Sequence, residues 1–176
     1  MPIPELQRIA RLSAATSNHL RIEFAALGEE GASFHPAEGE WCAKEVVGHL
    51  IEADRRGFTG RVETILHGDR PDLSVWDQTG VAAARHDCAR PSEEVLDEFA
   101  AVRREGLAQL ESLTAADLER VGRHPEIGDM TIADVLHEWP FHDRDHLKQM
   151  LSNVRAWLWP DLGSARRFTE VRGGDL

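Results

Sequence analysis

The chain has 176 residues and a formal net charge of −11, from 31 acidic against 20 basic side chains, with no Lys/Arg cluster interrupting the acidity. That balance excludes the basic footprint needed for direct DNA or RNA binding, and two cysteines without a C-x-x-C exclude a disulfide framework and fit a reducing cytoplasm. The N-terminus lacks the basic and apolar regions of a signal peptide, and no apolar run approaches the roughly 18–20 residues that span a bilayer; a soluble, cytoplasmic, single-domain protein (1–176) is the expectation.

The first helix is predicted from about Pro4 to Leu27, with Pro4 in its first turn, Leu6, Ile9, Leu12, Leu20 and Leu27 among its apolar positions, and Gly28 ending it. A loop through Gly31, Pro36 and Gly39 leads to a second helix, about Cys42 to His67, which Gly68-Asp69-Arg70-Pro71 breaks. Residues 72–90 read as a long connection with a short helix near Val81 to His86. Ser92 as an N-cap, with Glu93 and Glu94 in the first turn, starts a third helix that runs to about Leu113. Thr114 with Asp117 opens a short segment ending near Gly122, and Thr131 with Asp134, after the turn-like Gly128-Asp129-Met130, opens the last long helix. Apolar residues recur along that helix at Ile132, Val135, Leu136, Trp139, Leu147, Met150, Leu151, Val154 and Leu158. Pro140 removes an amide donor and clashes with the Leu136 carbonyl, so a kink or break two residues before His142 is expected. No alternation of period two appears, which favours an all-α four-helix bundle with its core in about 4–158, a long connection after the second helix and an ambiguous tail, 160–176.

His142-Asp143-Arg144-Asp145-His146 carries the strongest chemical signal. Residues four apart on a helix lie about 40° apart and roughly 6 Å along the axis, so two imidazoles so placed can grip one ion. Both lie on or beside the apolar stripe, where unsatisfied polar groups are costly and a metal satisfies two at once. His49, between Val46 and Ala53 on an interrupted apolar face of the second helix, is the best third ligand. His35, His67 and His124 stand beside Pro or Gly and read as solvated or capping residues. His137 and His142 are separated by five residues, about 140° around a helix, so His137-Glu138 does not open a His-Glu-x-x-His zincin motif.

The run Trp41-x-x-x-Glu45-Val46-Val47-Gly48-His49-Leu50, followed by Trp139-x-x-His142-Asp143-x-x-His146-x-x-Gln149, resembles the DinB/YfiT-like superfamily of metal-dependent enzymes, over about residues 5–158. The resemblance implies a four-helix bundle that pairs as a homodimer, and it carries the family's three metal-binding histidines to His49, His142 and His146. It further implies a menu of activities on small-molecule substrates: S-transfer with a low-molecular-weight thiol of the bacillithiol or mycothiol type, isomerisation, or hydrolysis. Relatives often place Ser or Thr after the tryptophan, where this chain has Cys42, so a weaker helix cap is expected.

Three neutral imidazoles leave a coordination position open, as in catalytic metal sites, and suit Zn²⁺, Ni²⁺, Fe²⁺ or Co²⁺. Glu45, Asp143 and Gln149 are candidates to support the ligands from behind, with Glu45 otherwise a first-turn carboxylate of its helix and Asp143 otherwise a contact to a neighbouring backbone or helix. Trp139 reads as core and Arg56 as a solvated cation. Cys42 and Cys88 show no metal-site spacing and no evident base, so the chain offers no nucleophile of its own. The competing class is a non-enzymatic, stress-related metal-binding or partner-binding bundle, in which a metal merely staples helices. The apolar Trp157-Leu158-Trp159 end of the last helix suggests either a dimer contact or a docked tail.

Overall fold

The structure is a computed structural model describing residues 3–168. Helix α1 spans Pro4–Ala32, with Gly28 at φ 63 and ψ −174, so the expected stop is a kink that one further turn outlasts. The second rod is composite: α2 (Ala43–Glu52), a π-helical turn (Ala53–Phe58) and α3 (Thr59–His67). The π turn replaces the uninterrupted helix expected over Cys42–His67 and turns Asp54 into the bundle, where it is fully buried. At the head of this rod the Glu45 carboxylate accepts the Cys42 amide at 2.8 Å, so the acid half of a capping box forms around a thiol.

The connection holds α4 (Gln78–Arg85), started by Asp77, whose side chain accepts the Gly80 amide at 2.9 Å, and a 3-10 turn at Asp87–Ala89. Helix α5 (Ser92–Ser112) and the short α6 (Ala115–Leu118) follow; Ser92, expected as the N-cap of α5, is instead its first helical residue after the N-cap Pro91, and its amide donates to Glu29 at 2.9 Å. An antiparallel hairpin then departs from the expected all-helical pattern: β1 (Val121–His124) pairs with β2 (Gly128–Thr131), with Val121 opposite Thr131 and His124 opposite Gly128. Four-residue strands are too short for alternation to register in a sequence. Leu73 and Pro71 extend the pairing through two 2.8 Å backbone hydrogen bonds to Arg123. Gly122 is required there, because a Cβ at that position would stand 2.8 Å from the Ile65 and Leu73 side chains. His124, expected as solvated or capping, is instead buried, with its Nε2 3.1 Å from the Arg61 guanidinium.

Helix α7 (Ile132–Leu158) runs unbroken for 27 residues through Pro140, in place of the expected break. Its start is fixed by a reciprocal cap between Thr131 and Asp134, and its middle by the buried Leu136, Trp139 and Met150. Packing on both sides of Pro140 holds the helical path against the lost hydrogen bond. A 3-10 segment, Trp159–Arg166, follows; the tail from 169 onward lies outside the described residues. The four rods of the bundle are α1, the α2–α3 composite, α5 and α7, with α1 packed on α5 and α7, and α2 on the same two. No helix among the described residues is long and apolar enough to cross a membrane.

Two apolar clusters fill the bundle, one around Trp139, Phe58, Ile65 and Ile132, the other around Leu50, Phe99, Leu147 and Met150. Arg103 of α5 joins them, its guanidinium 4.7 Å from the Phe99 ring centroid and 5.0 Å from that of Trp139. It donates to Asp54 at 2.8 and 3.0 Å, to Asp143 at 2.8 Å and to the Ser13 carbonyl at 2.6 Å. Trp139 Nε1 donates to Asp54 at 2.7 Å, and Thr16 Oγ1 to Asp143 at 2.7 Å. One polar knot thereby ties α1, the π turn, α5 and α7 in the segment from which His142 projects.

Candidate metal centre

His49 comes from the last turn of α2, and His142 and His146 from adjacent turns of α7. The ligand nitrogens of the three lie within 4.8 Å of one another. His142 Nε2 is 3.2 Å from His49 Nε2 and 3.2 Å from His146 Nε2. Zn–N bonds of about 2.0–2.1 Å at tetrahedral angles place ligand nitrogens about 3.3–3.4 Å apart, close to the two 3.2 Å edges that meet at His142.

Proton placement points the same way. His146 Nδ1 lies 2.8 Å from Gln149 Oε1, which fixes the ring proton on Nδ1 and leaves the Nε2 lone pair facing the other rings. The Nδ1 atoms of His49 and His142 are buried without a hydrogen-bond partner among the described residues. Burial, reinforced by the neighbouring imidazoles, pushes His49 and His142 down to about 3. Burial also lowers His146, opposed by the Gln149 hydrogen bond and the nearby Asp143 and Asp145. The rings are therefore neutral at pH 7, the state in which imidazole ligates. A cation that took the three Nε2 lone pairs would replace the Nε2···Nε2 hydrogen bonds of the metal-free triangle and leave the ring protons on the Nδ1 atoms.

Aromatic rings wall the cluster. Trp41 and Trp76 approach the His49 ring at centroid distances of 5.1 and 5.8 Å, and Phe58 meets His142 edge-on at 5.3 Å. His49 is buried, whereas His142 and His146 keep intermediate exposure. Arg56 stacks 5.9 Å over Trp76 while its Nε donates to Glu52 at 2.7 Å, so it is an ion-paired residue at the edge of the site.

Of the three supporting residues named from sequence, the structure brings only Gln149 into contact with a ligand imidazole. Glu45 accepts the Cys42 amide through Oε2, which lies 3.6 Å from His35, and does not meet His49. Asp143 turns from the histidines to the Arg103 knot. That knot was missed, although a trace was legible: Arg103 falls midway between Leu96 and Leu110, and Asp143 between Leu136 and Met150, each pair seven residues to either side on an otherwise apolar stripe. Trp76 had no such signal, because it lies in the irregular connection.

Residues 11–150 match the family described as the DinB superfamily. A protein of Oceanobacillus iheyensis named "Putative metal-dependent hydrolase" is 24% identical over 121 residues, 69% of each chain. A Geobacillus kaustophilus protein of the same name is 28% identical over 142 residues, 80% of this chain and 79% of its own. In solved structures, the fold matches YfiT from Bacillus subtilis, described as "a probable metal-dependent hydrolase with an unusual four-helix bundle topology", with a TM-score of 0.78 at 15% identity over 88% of this chain and 89% of that one.

Proposed function

We propose that this chain, which belongs to the DinB superfamily, is a metal-dependent enzyme in which His49, His142 and His146 hold one divalent ion and water is the nucleophile for hydrolysis of a small substrate. The observation that carries the reading is the convergence of three neutral imidazoles, with His142 Nε2 3.2 Å from both His49 Nε2 and His146 Nε2 and with Gln149 behind His146. A divalent ion held by three imidazoles lowers the pKa of the water or thiol that completes its coordination and so supplies a nucleophile at neutral pH.

The chain's own residues orient and shield. Gln149 holds the His146 tautomer, and the Arg103–Asp143 pair anchors the turn that carries His142. Trp41, Trp76 and Phe58 keep bulk water from the ligand rings. Relatives named as metal-dependent hydrolases support the reaction class.

A second reading, S-transfer from a low-molecular-weight thiol, is favoured by the position of the two cysteines, which gather in a separate cluster and leave the histidine triangle without a side-chain nucleophile. Metal-loaded, untagged protein separates the two. Hydrolysis turns over esters or amides with no thiol added, whereas transfer to an electrophile such as an epoxide requires the thiol and yields a thioether. Elemental analysis that finds no divalent metal in the native protein, together with no turnover in either screen after loading with Zn²⁺, Ni²⁺, Fe²⁺ or Co²⁺, overturns both and leaves a binding bundle.

A further inference from the structure

Away from the histidine triangle, His35, Cys42, Glu45 and Cys88 each bring one ligand atom within 4.8 Å of the others. They come from four places in the fold: the loop after α1, the N-cap of α2, the first turn of α2, and the 3-10 turn before α5. Cys88 Sγ lies 3.3 Å from His35 Nε2, and His35 Nδ1 lies 2.8 Å from the Glu40 carbonyl oxygen. A carbonyl can only accept, so the ring proton is on Nδ1 and the Nε2 lone pair faces the sulfur. The same tautomer-fixing bond stands behind most metal-ligating histidines. Cys42 is wholly buried, with Cys88 as its neighbour, and burial pushes its thiol up. Glu45 already lies over the Cys42 amide.

We propose that His35, Cys42, Glu45 and Cys88 form a second metal site, a closed four-ligand site for a thiophilic divalent cation of the Zn²⁺ type. Two sulfurs and an imidazole select borderline-soft ions, and four protein ligands leave no position for substrate, so the site is structural. It ties the start of α2 to the loop after α1 and to the turn before α5. Trp41, whose ring lies against His49, is the residue immediately before Cys42, so the cation also fixes one wall of the histidine triangle. No electron transfer is involved: each thiol gives its proton to solvent on ligation, two protons for each ion bound.

The test is cobalt titration of the full-length, untagged, reduced protein without air. The expected result is a thiolate-to-cobalt charge-transfer band that saturates at one thiolate-bound ion per chain. The band persists in His142→Ala, which separates this site from the histidine triangle, and is lost in Cys88→Ser and Cys42→Ser. Cys42→Ser puts a preferred N-cap residue at the head of α2, so its loss of the band is read on a folded protein, checked by circular dichroism. Absence of the band in the unmodified chain, or its survival in Cys88→Ser, overturns the proposal. So does air oxidation of both thiols at the same rate with and without Zn²⁺, which assigns the cysteines to a disulfide instead.

Discussion

Gln149 is the side chain whose role at the histidine triangle is easiest to isolate, since it touches His146 through one 2.8 Å contact and is not part of the buried core. Gln149→Ala is expected to weaken Zn²⁺ binding by about 10–100-fold, the usual effect of losing a partner behind a ligand, while leaving the thermal midpoint of the metal-free protein in place. Unchanged affinity in a calorimetric titration counts against the assigned tautomer. The ligands themselves predict a pH dependence. His49 and His142 take up protons only near pH 3 in the folded chain, against about 6.5 for an unperturbed histidine. Between these values the unfolded chain binds more protons, so the contribution to stability is full above about 6.5 and is lost as pH falls toward 3. Urea midpoints of the chelator-treated protein should fall across this window, and His49→Ala should flatten the fall.

Among the elements, the coupling of α1, the π turn, α5 and α7 rests on Arg103, buried with two carboxylates and two aromatic faces. Removing only the cation leaves Asp54 and Asp143 buried without it, and Asp54 is already pushed up to about 6 by burial against the pull of Arg103. Arg103→Met should cost ~3–5 kcal/mol in denaturant unfolding, as breaking one side of a buried ion pair does. A loss below about 1 kcal/mol would show that the carboxylates are neutralised in another way. Pro140 makes the opposite prediction. It sits inside an unbroken helix, so Pro140→Ala should restore a donor to the Leu136 carbonyl and raise stability by up to ~3 kcal/mol. A fall in stability instead would mean that the α7 path depends on the proline ring.

For the whole molecule, the last two turns of α7 matter most. Trp157 is covered by Phe34 at a centroid distance of 5.2 Å, and Trp159 by Arg166 at 5.2 Å, so the tail turns back over one of the two tryptophans. Leu151 and Leu158, seven residues apart on one face, stay 46% and 51% exposed. We propose that this apolar face takes a second copy of the chain. Light scattering at micromolar concentration should give twice the 19.7 kDa mass, and Leu158→Glu should return the single-chain value. A monomer in the unmodified protein decides against pairing.

The sequence alone determined the long helices and their starts, because capping pairs such as Thr131 with Asp134 and apolar periodicity act within a few residues. For the same local reason it placed His142 and His146 one turn apart on α7, and His49 on the inner face of α2. What lay between distant segments was decided only by tertiary packing. The meeting of Arg103 with Asp54 and Asp143, 49 and 40 residues away, has no local rule behind it, nor has the approach of Cys88 to His35 across 53 residues. The π turn that aims Asp54 inward, and the helical path through Pro140, are local irregularities stabilised by contacts from other helices. Short-range patterning fixes which side chains face the core; the packing of the rods fixes which of them touch, and that step brings the ligand nitrogens of three inward histidines within 4.8 Å of one another.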